Sequence, residues 1–232
     1  MIKIGFIGAY DKTDFIVQIA KLLTTTGKKV LVIDSTLNQK AKYIIPVINP
    51  TKTYITEFEE IDVAVGFESF SQINEYLGIQ ETTELDYDYG LIDIDNSKAF
   101  EGFNMRSARI NYFVTSFDLY SLKKGLEILS GLRETQRLTK VLFSNNMTEE
   151  ENEYLDFLSA NYKIQWEEEK IYFPFEQGDR TAIIENQRAA KIKFKNLTQN
   201  YKESLLYMTE QILGDNNINA LRKTMRNIDK GV

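Results

Sequence analysis

Short runs of consecutive apolar residues recur along this sequence, and they constrain its fold more than any other feature. VLVI (30–33), GLIDI (90–94) and YFVT (112–115) do not alternate with polar residues. That is the pattern of parallel strands covered by helices on both faces. Strands are accordingly expected at Ile2–Ile7, Val30–Ile33, Thr53–Phe58, Ile61–Val65, Tyr89–Ile94, Asn111–Thr115, Val141–Phe143 and Lys170–Phe173. Between them, apolar residues fall at helical spacing: Phe15, Ile16, Ile19, Ala20, Leu22 and Leu23, closed by Gly27. Other helices are expected over Ser69–Leu77, Leu119–Leu132, Glu149–Ala160 and Phe194–Leu213. Strand and helix in alternation predict a three-layer α/β/α fold with a mostly parallel, doubly wound sheet. With only 3 prolines and no repeat, one domain is expected over residues 1–214, followed at 215–232 by a C-terminal amphipathic helix or tail.

Composition removes whole classes of chemistry. The 232 residues contain no cysteine and no histidine. Thiolate nucleophiles, Cys/His zinc sites and His-based acid/base catalysis are therefore excluded. Lys+Arg 28 against Asp+Glu 34 leaves a net charge of −6, which disfavours coating nucleic acid with the whole surface. The abundant Tyr and Phe are spread along the chain, as core and surface residues and not as a base-stacking platform. No apolar run is long enough to cross a bilayer, and MIKIGFIGAY has the look of a first strand, not a signal peptide. A soluble cytoplasmic protein is expected.

In open parallel sheets, ligands bind at the carboxyl ends of the strands. The first strand-to-helix turn here is Gly8-Ala9-Tyr10-Asp11-Lys12-Thr13. A dinucleotide fingerprint needs three glycines; Gly8 is followed by none before Gly27, so a Rossmann-type NAD(P)-binding oxidoreductase with Asp34 ending the second strand is the weaker alternative. The other pattern is a damaged G-x-x-x-x-G-K-[ST] loop, in which backbone amides wrap phosphates, the Lys reaches the outer phosphates and the hydroxyl ligates Mg²⁺. Lys12-Thr13 supplies the final pair.

From Lys12 onward, KTDFIVQIAKLLTTTGKKVLVID resembles the MinD/ParA family of deviant Walker ATPases. YDYGLIDID (87–95) is similar to the family's Walker B segment, making Asp93 the counterpart of the acid near Mg²⁺. YFVTSFDLYSLKKGLEILSGL (112–132) and KVLFSNN (140–146) follow in family order. YFPFEQGDRTAIIENQR (172–188) matches through Pro174, and a closing helix NLTQNYKESLLYMTEQIL completes the series. The resemblance implies ATP and Mg²⁺ as ligands. Gly8, Lys12, Thr13, Asn145 and Pro174 would contact nucleotide, Thr13 and Asp93 the metal, and Asp34 the attacking water. It also implies a homodimer.

The departures fall at the phosphates. Alignment on Lys12 puts Phe6 and Asp11 at the two defining glycines and Ile7 at the family's signature lysine; alignment on the strands makes the loop two or three residues short. Asp11 and Asp14 bring like charge toward a polyphosphate, each opposing it by up to about 4 kcal/mol at 4 Å and an effective dielectric near 20. Thr36 stands where relatives commonly have a second acid, and Asp95-Asn96-Ser97 replaces a Pro- or Gly-containing turn. The expectation is a protein without cofactor, acting as a non-hydrolysing scaffold or localisation factor. TadZ/CpaE-like proteins, which place pilus or secretion machinery, are the nearest analogy, with protein partners of such a system. A working Mg-ATPase of the same family is the alternative.

Plainer readings stand beside these. Lys12 and Thr13 also suit a ligand-free helix start, Asp14 complements the helix dipole, and Asp34 and Asp93 suit the capping of loop amides. Glu149–Glu151 with Glu153 fit the solvated start of a helix, and Glu167–Glu169 a surface turn. In NINALRKTMRNIDKGV, Ile218, Leu221, Met225 and Ile228 share a face, with Arg222, Lys223, Arg226 and Lys230 around it. That segment suits weak attachment to a membrane surface, docking on the body or a partner, or a frayed tail.

Overall fold

A computed structural model describes residues 1–48, 50–144, 149–174, 176–214 and 218–230. In chain order the elements are β1 (Ile2–Ile7), α1 (Thr13–Thr24), β2 (Val30–Asp34), α2 (Ala41–Ile44), β3 (Tyr54–Phe58), β4 (Ile61–Val65), α3 (Phe70–Leu77), β5 (Tyr89–Ile94) and α4 (Ser97–Gly102). There follow β6 (Ile110–Ser116), α5 (Leu119–Glu127), β7 (Gln136–Ser144), α6 (Glu149–Ser159), β8 (Ile164–Pro174), α7 (Gln177–Ala189), α8 (Gln199–Leu213) and α9 (Ile218–Lys230).

The eight strands form one sheet in the order β3-β4-β2-β5-β1-β6-β7-β8. Every neighbouring pair is parallel except the β3–β4 hairpin. From β1 the chain crosses β5's position to reach β2, and from β5 it crosses β1 to reach β6. The winding direction therefore reverses beside β1, which opens a crevice at its carboxyl end. Side chains alternate between faces along each strand, so Ile4, Phe6, Val30 and Val32 pack under α1, α7, α8 and α9. Ile7, Leu31 and Ile33 pack under α3–α6. Below the crevice, Phe6, Phe15, Phe143, Phe173, Tyr112 and Tyr201 form an aromatic layer with centroid separations of 4.9–5.6 Å.

Several boundaries differ from the sequence pattern, each for a local reason. Glu167–Glu169 do not form a turn; they lie within β8, in a bulge between the pairs Leu138↔Trp166 and Lys140↔Lys170, where one residue of β7 faces three. On the sheet's last strand that bulge reaches solvent, which suits three acids. The helix from Leu119 ends at Glu127, and the chain tightens into three-residue turns, Ile128 N–H to Gly125 O and Leu129 N–H to Leu126 O. The helix ending at Leu213 starts only at Gln199, because Thr198 caps it and the Asp179 carboxylate holds Thr198 through N (2.6 Å) and Oγ1 (2.9 Å). Over 172–188 the sequence carried a motif match but no helical period; α7 there buries only Asp179 and Ala182.

The C-terminal segment packs on the body. Leu221 and Met225 are buried against the layer of α1 and α8. Arg222 pairs with Glu203, and Asp229 accepts the amides of Phe194 (2.7 Å) and Lys195 (2.8 Å). No helix among the described residues is long and apolar enough to cross a membrane.

Candidate functional site

Five residues, 8–12, join β1 to α1. Gly8 extends the strand pattern by one bond, its N–H reaching Ile94 O at 3.0 Å, and adopts φ +148°. A Cβ there would stand 2.1 Å from the carbonyl oxygen of Val114 on β6. The chain then turns through Tyr10, whose ring stacks on Phe143 at 4.6 Å. The ring thereby covers the aromatic layer from above.

Lys12 precedes the first helical residue, and its side chain folds back under the loop. The ammonium donates to Gly8 O at 2.7 Å and lies 2.7 Å from Asp93 Oδ1, with both side chains only 2% exposed. This close contact is a buried ion pair. Thr13 Oγ1 donates to the other carboxylate oxygen at 3.3 Å. The Thr13 amide, at the head of α1, faces Asp11 Oδ1 at 3.4 Å. A helix N-terminus attracts anions through such donors and its dipole; here the chain's own carboxylate takes the place.

Burial pushes the Asp93 carboxyl up to about 7, outweighing the pull of the Lys12 ammonium, and the nearby Asp34 charge acts in the same direction as burial. The folded protein then holds this proton more tightly than the unfolded chain does. Its contribution to stability is fully present below the ordinary carboxylate range and is lost as pH rises through about 7. Urea unfolding of wild type and Asp93→Asn across pH 5–8 checks this: the stability of wild type relative to the variant is expected to fall as pH rises.

Asp34, at the end of β2, is fully buried. One oxygen accepts Thr36 N (3.1 Å) and Thr36 Oγ1 (2.6 Å), the other Ala41 N (2.8 Å). Both are spent on shaping the loop that follows. Asp95 likewise accepts the Leu37 amide through both oxygens (2.9 and 3.1 Å), and Asn96 caps α4 while donating to Ser35 O. The same loop carries Lys40, whose ammonium bridges Asp11 (2.6 Å) and Asp14. Gln187 of α7 donates to Asp14's other oxygen at 2.8 Å.

Two cavities flank this arrangement. One, of about 440 Å³, is lined by the loop itself (Gly8–Thr13) with Thr36, Lys40, Asp93 and Asp95. The other, about 400 Å³, lies between the start of α1 and the ends of β7 and β8 and includes Tyr10, Phe143, Pro174 and Arg180. Gly8, Lys12, Thr13 and Asp93 thus meet in one crevice. Asp34 lies beneath it without lining either cavity, and Pro174 lines the neighbouring cavity. Asn145 falls outside the described residues. Lys40 and Tyr10 carry no motif signal in the sequence; their roles come from the loops that meet there.

No protein-family model matches the sequence, and no curated protein matches it. Solved structures do match in shape. A candidate plasmid partition protein from Borrelia burgdorferi B31 bound to AMPPNP superposes with a TM-score of 0.59 at 12% identity, over 90% of this chain and 98% of that one. The ParA family ATPase from Chlorobium tepidum TLS gives 0.58 at 13%, over 88% and 96%. The MinC:MinD cell division complex from Aquifex aeolicus gives 0.55 at 12%, over 93% and 97%. The fold is that of the ParA and MinD ATPases.

Within the ParA/MinD fold, Lys12-Thr13 stands at the head of the helix after β1, as the phosphate-loop pattern requires. That pattern sets its first glycine six residues before the lysine. Gly8, the residue after β1, is only four before it, so the loop is two residues short.

Proposed function

We propose that this protein is a non-hydrolysing scaffold or localisation factor on the ParA/MinD fold, a degenerate member comparable to TadZ/CpaE-like proteins, and that its phosphate loop takes no ATP. The observation that carries this reading is the buried Lys12 ammonium, committed to Asp93 and to the carbonyl of Gly8. The remaining groups point the same way. Asp11 occupies the α1 amide, Asp11 and Asp14 together absorb Lys40, and Asp34 spends both oxygens on loop amides. A triphosphate with Mg²⁺ needs that lysine, those amides and those carboxylates available, so the donor set does not fit it. A homodimer, with protein partners of a pilus or secretion positioning system, belongs to the same proposal.

The rival reading, a working ATPase, draws on the AMPPNP-bound protein of like fold and on the cavity beside Lys12, Thr13 and Asp93. Thermal unfolding with Mg-ATP, backed by calorimetric titration, separates the two. A ligand present at about 100 times its dissociation constant stabilises by about 2.7 kcal/mol, which raises Tm by several degrees in a chain of this size. No rise in Tm and no binding heat are expected with millimolar Mg-ATP. A rise of several degrees overturns the proposal and returns Gly8, Lys12, Thr13, Asp93 and Pro174 to nucleotide and metal roles. A rise with NADH alone points instead to a dinucleotide site.

A further inference from the structure

Two surfaces of opposite charge lie on opposite faces of the sheet. On the α6 side, Glu150, Glu153, Tyr154 and Phe157 are all exposed and occupy positions i, i+3, i+4 and i+7, one face of the helix. Phe157 is 74% exposed and Tyr154 41%. The flanking acids are engaged, Glu149 by Lys170 and Asp156 by Lys140. Glu150 and Glu153 have no ion pair among the described residues. Two aromatic rings on an exposed helix, framed by unpaired carboxylates, are poorly suited to water alone.

On the other face, the link from α7 to α8 runs Lys191-Ile192-Lys193-Phe194-Lys195. Its two apolar residues are buried and its three lysines exposed. Asp229 ties the end of α9 to this segment through the amides of Phe194 and Lys195. On the helix so tethered, the exposed Lys223, Arg226 and Lys230 fall at spacings of three and four, on one face. None of these six cations has a carboxylate partner among the described residues. In a chain of net charge −6, so dense a basic strip is a concentrated exception.

We infer that α6 of one copy docks on the α9 strip of the next, so that the chain self-associates head to tail. The complement is geometric as well as electrostatic. Glu150 to Phe157 and Lys223 to Lys230 each span seven helical steps, about 11 Å. The arginine head and lysine stems suit the faces of Phe157 and Tyr154, while the ammonium groups meet Glu150 and Glu153. Because the two faces lie on opposite sides of the sheet, the contact is heterologous and does not close into a two-fold pair; it propagates.

Light scattering and sedimentation velocity on the purified chain test this. Apparent mass should grow with protein concentration at low salt and return to its basal value near 0.5 M salt, where surface charges are screened within a few ångströms. Glu153→Lys/Phe157→Ser and Lys193→Glu/Lys195→Glu should each stay at that basal mass alone, with unchanged circular dichroism. Mixed one to one, they should form a complex, since each keeps the face the other lacks. The proposal is overturned if wild type keeps its basal mass at low salt, if neither variant lowers the assembled mass, or if the mixture does not associate.

Discussion

Lys12→Met is expected to destabilise the fold by about 3–5 kcal/mol at pH 8, the range for removing one partner of a buried ion pair. The methionine fills the same volume, so the loss reports charge and not packing. Among the described residues Lys12 is the cation in contact with Asp93, and its removal leaves the carboxylate there with Thr13 Oγ1 as its side-chain donor. Protonation limits the damage. With the ammonium gone, the Asp93 carboxyl moves further above its already raised position. The neutral acid is cheaper to bury, so the loss should shrink toward pH 6.

Adding Asp93→Leu to Lys12→Met should recover most of the stability, because replacing a whole buried pair by apolar groups is often neutral. Urea unfolding of the two variants at pH 6 and 8 is the measurement. A loss below about 1 kcal/mol at pH 8 for Lys12→Met would show that the pair does not hold the loop, and would remove the main support for a closed phosphate crevice.

Gly8→Ala should cost at least about 3 kcal/mol or prevent folding altogether. Two penalties combine. At φ +148° an L side chain is strained, and its Cβ would sit 2.1 Å from the Val114 carbonyl, in the backbone of a central strand that has no room to retreat. Positional strain alone is worth roughly 1–3 kcal/mol, and the overlap adds to it. In a phosphate loop the first glycines let the backbone approach a ligand. Here the missing side chain would point into β6, so the cost should appear with no nucleotide present. Ala at position 9, whose backbone lies beside Gly125, is the natural control: Ala9→Ser should leave the unfolding midpoint nearly unchanged. A Gly8→Ala protein as stable as wild type would mean that the turn after β1 adopts another path.

The strands near the middle of the sheet were legible because burial on both faces leaves only consecutive apolar residues as a solution. β1 and β5 in the middle, and β4 beside the β3 edge, fall at the expected limits. The outer strands β7 and β8 were only half legible. Gln136 and Arg137 at the start of β7 and Glu167–Glu169 in the bulge of β8 lie where the sheet meets water and do not carry the apolar signature. α2 and α4, four and six residues long, are too short to express a helical period.

At the site, the pattern singled out Lys12, Thr13 and Asp93, and the fold brings these three into one crevice. It said nothing of Lys40, which reaches Asp11 and Asp14 across 29 and 26 positions of sequence. Nor did it mark Tyr10 on Phe143. Both contacts depend on the path of a loop.

The order of amino acids by itself determined the layered architecture, the position of the first loop and the absence of His and Cys chemistry. Hydrophobic periodicity and residue inventory are local properties, and the sheet follows from them. Only the tertiary structure decided where the charges of that loop go. Lys12 turns inward to Asp93 and Asp11 turns back to its own helix because buried charges pair with whichever partner the packing brings within a few ångströms.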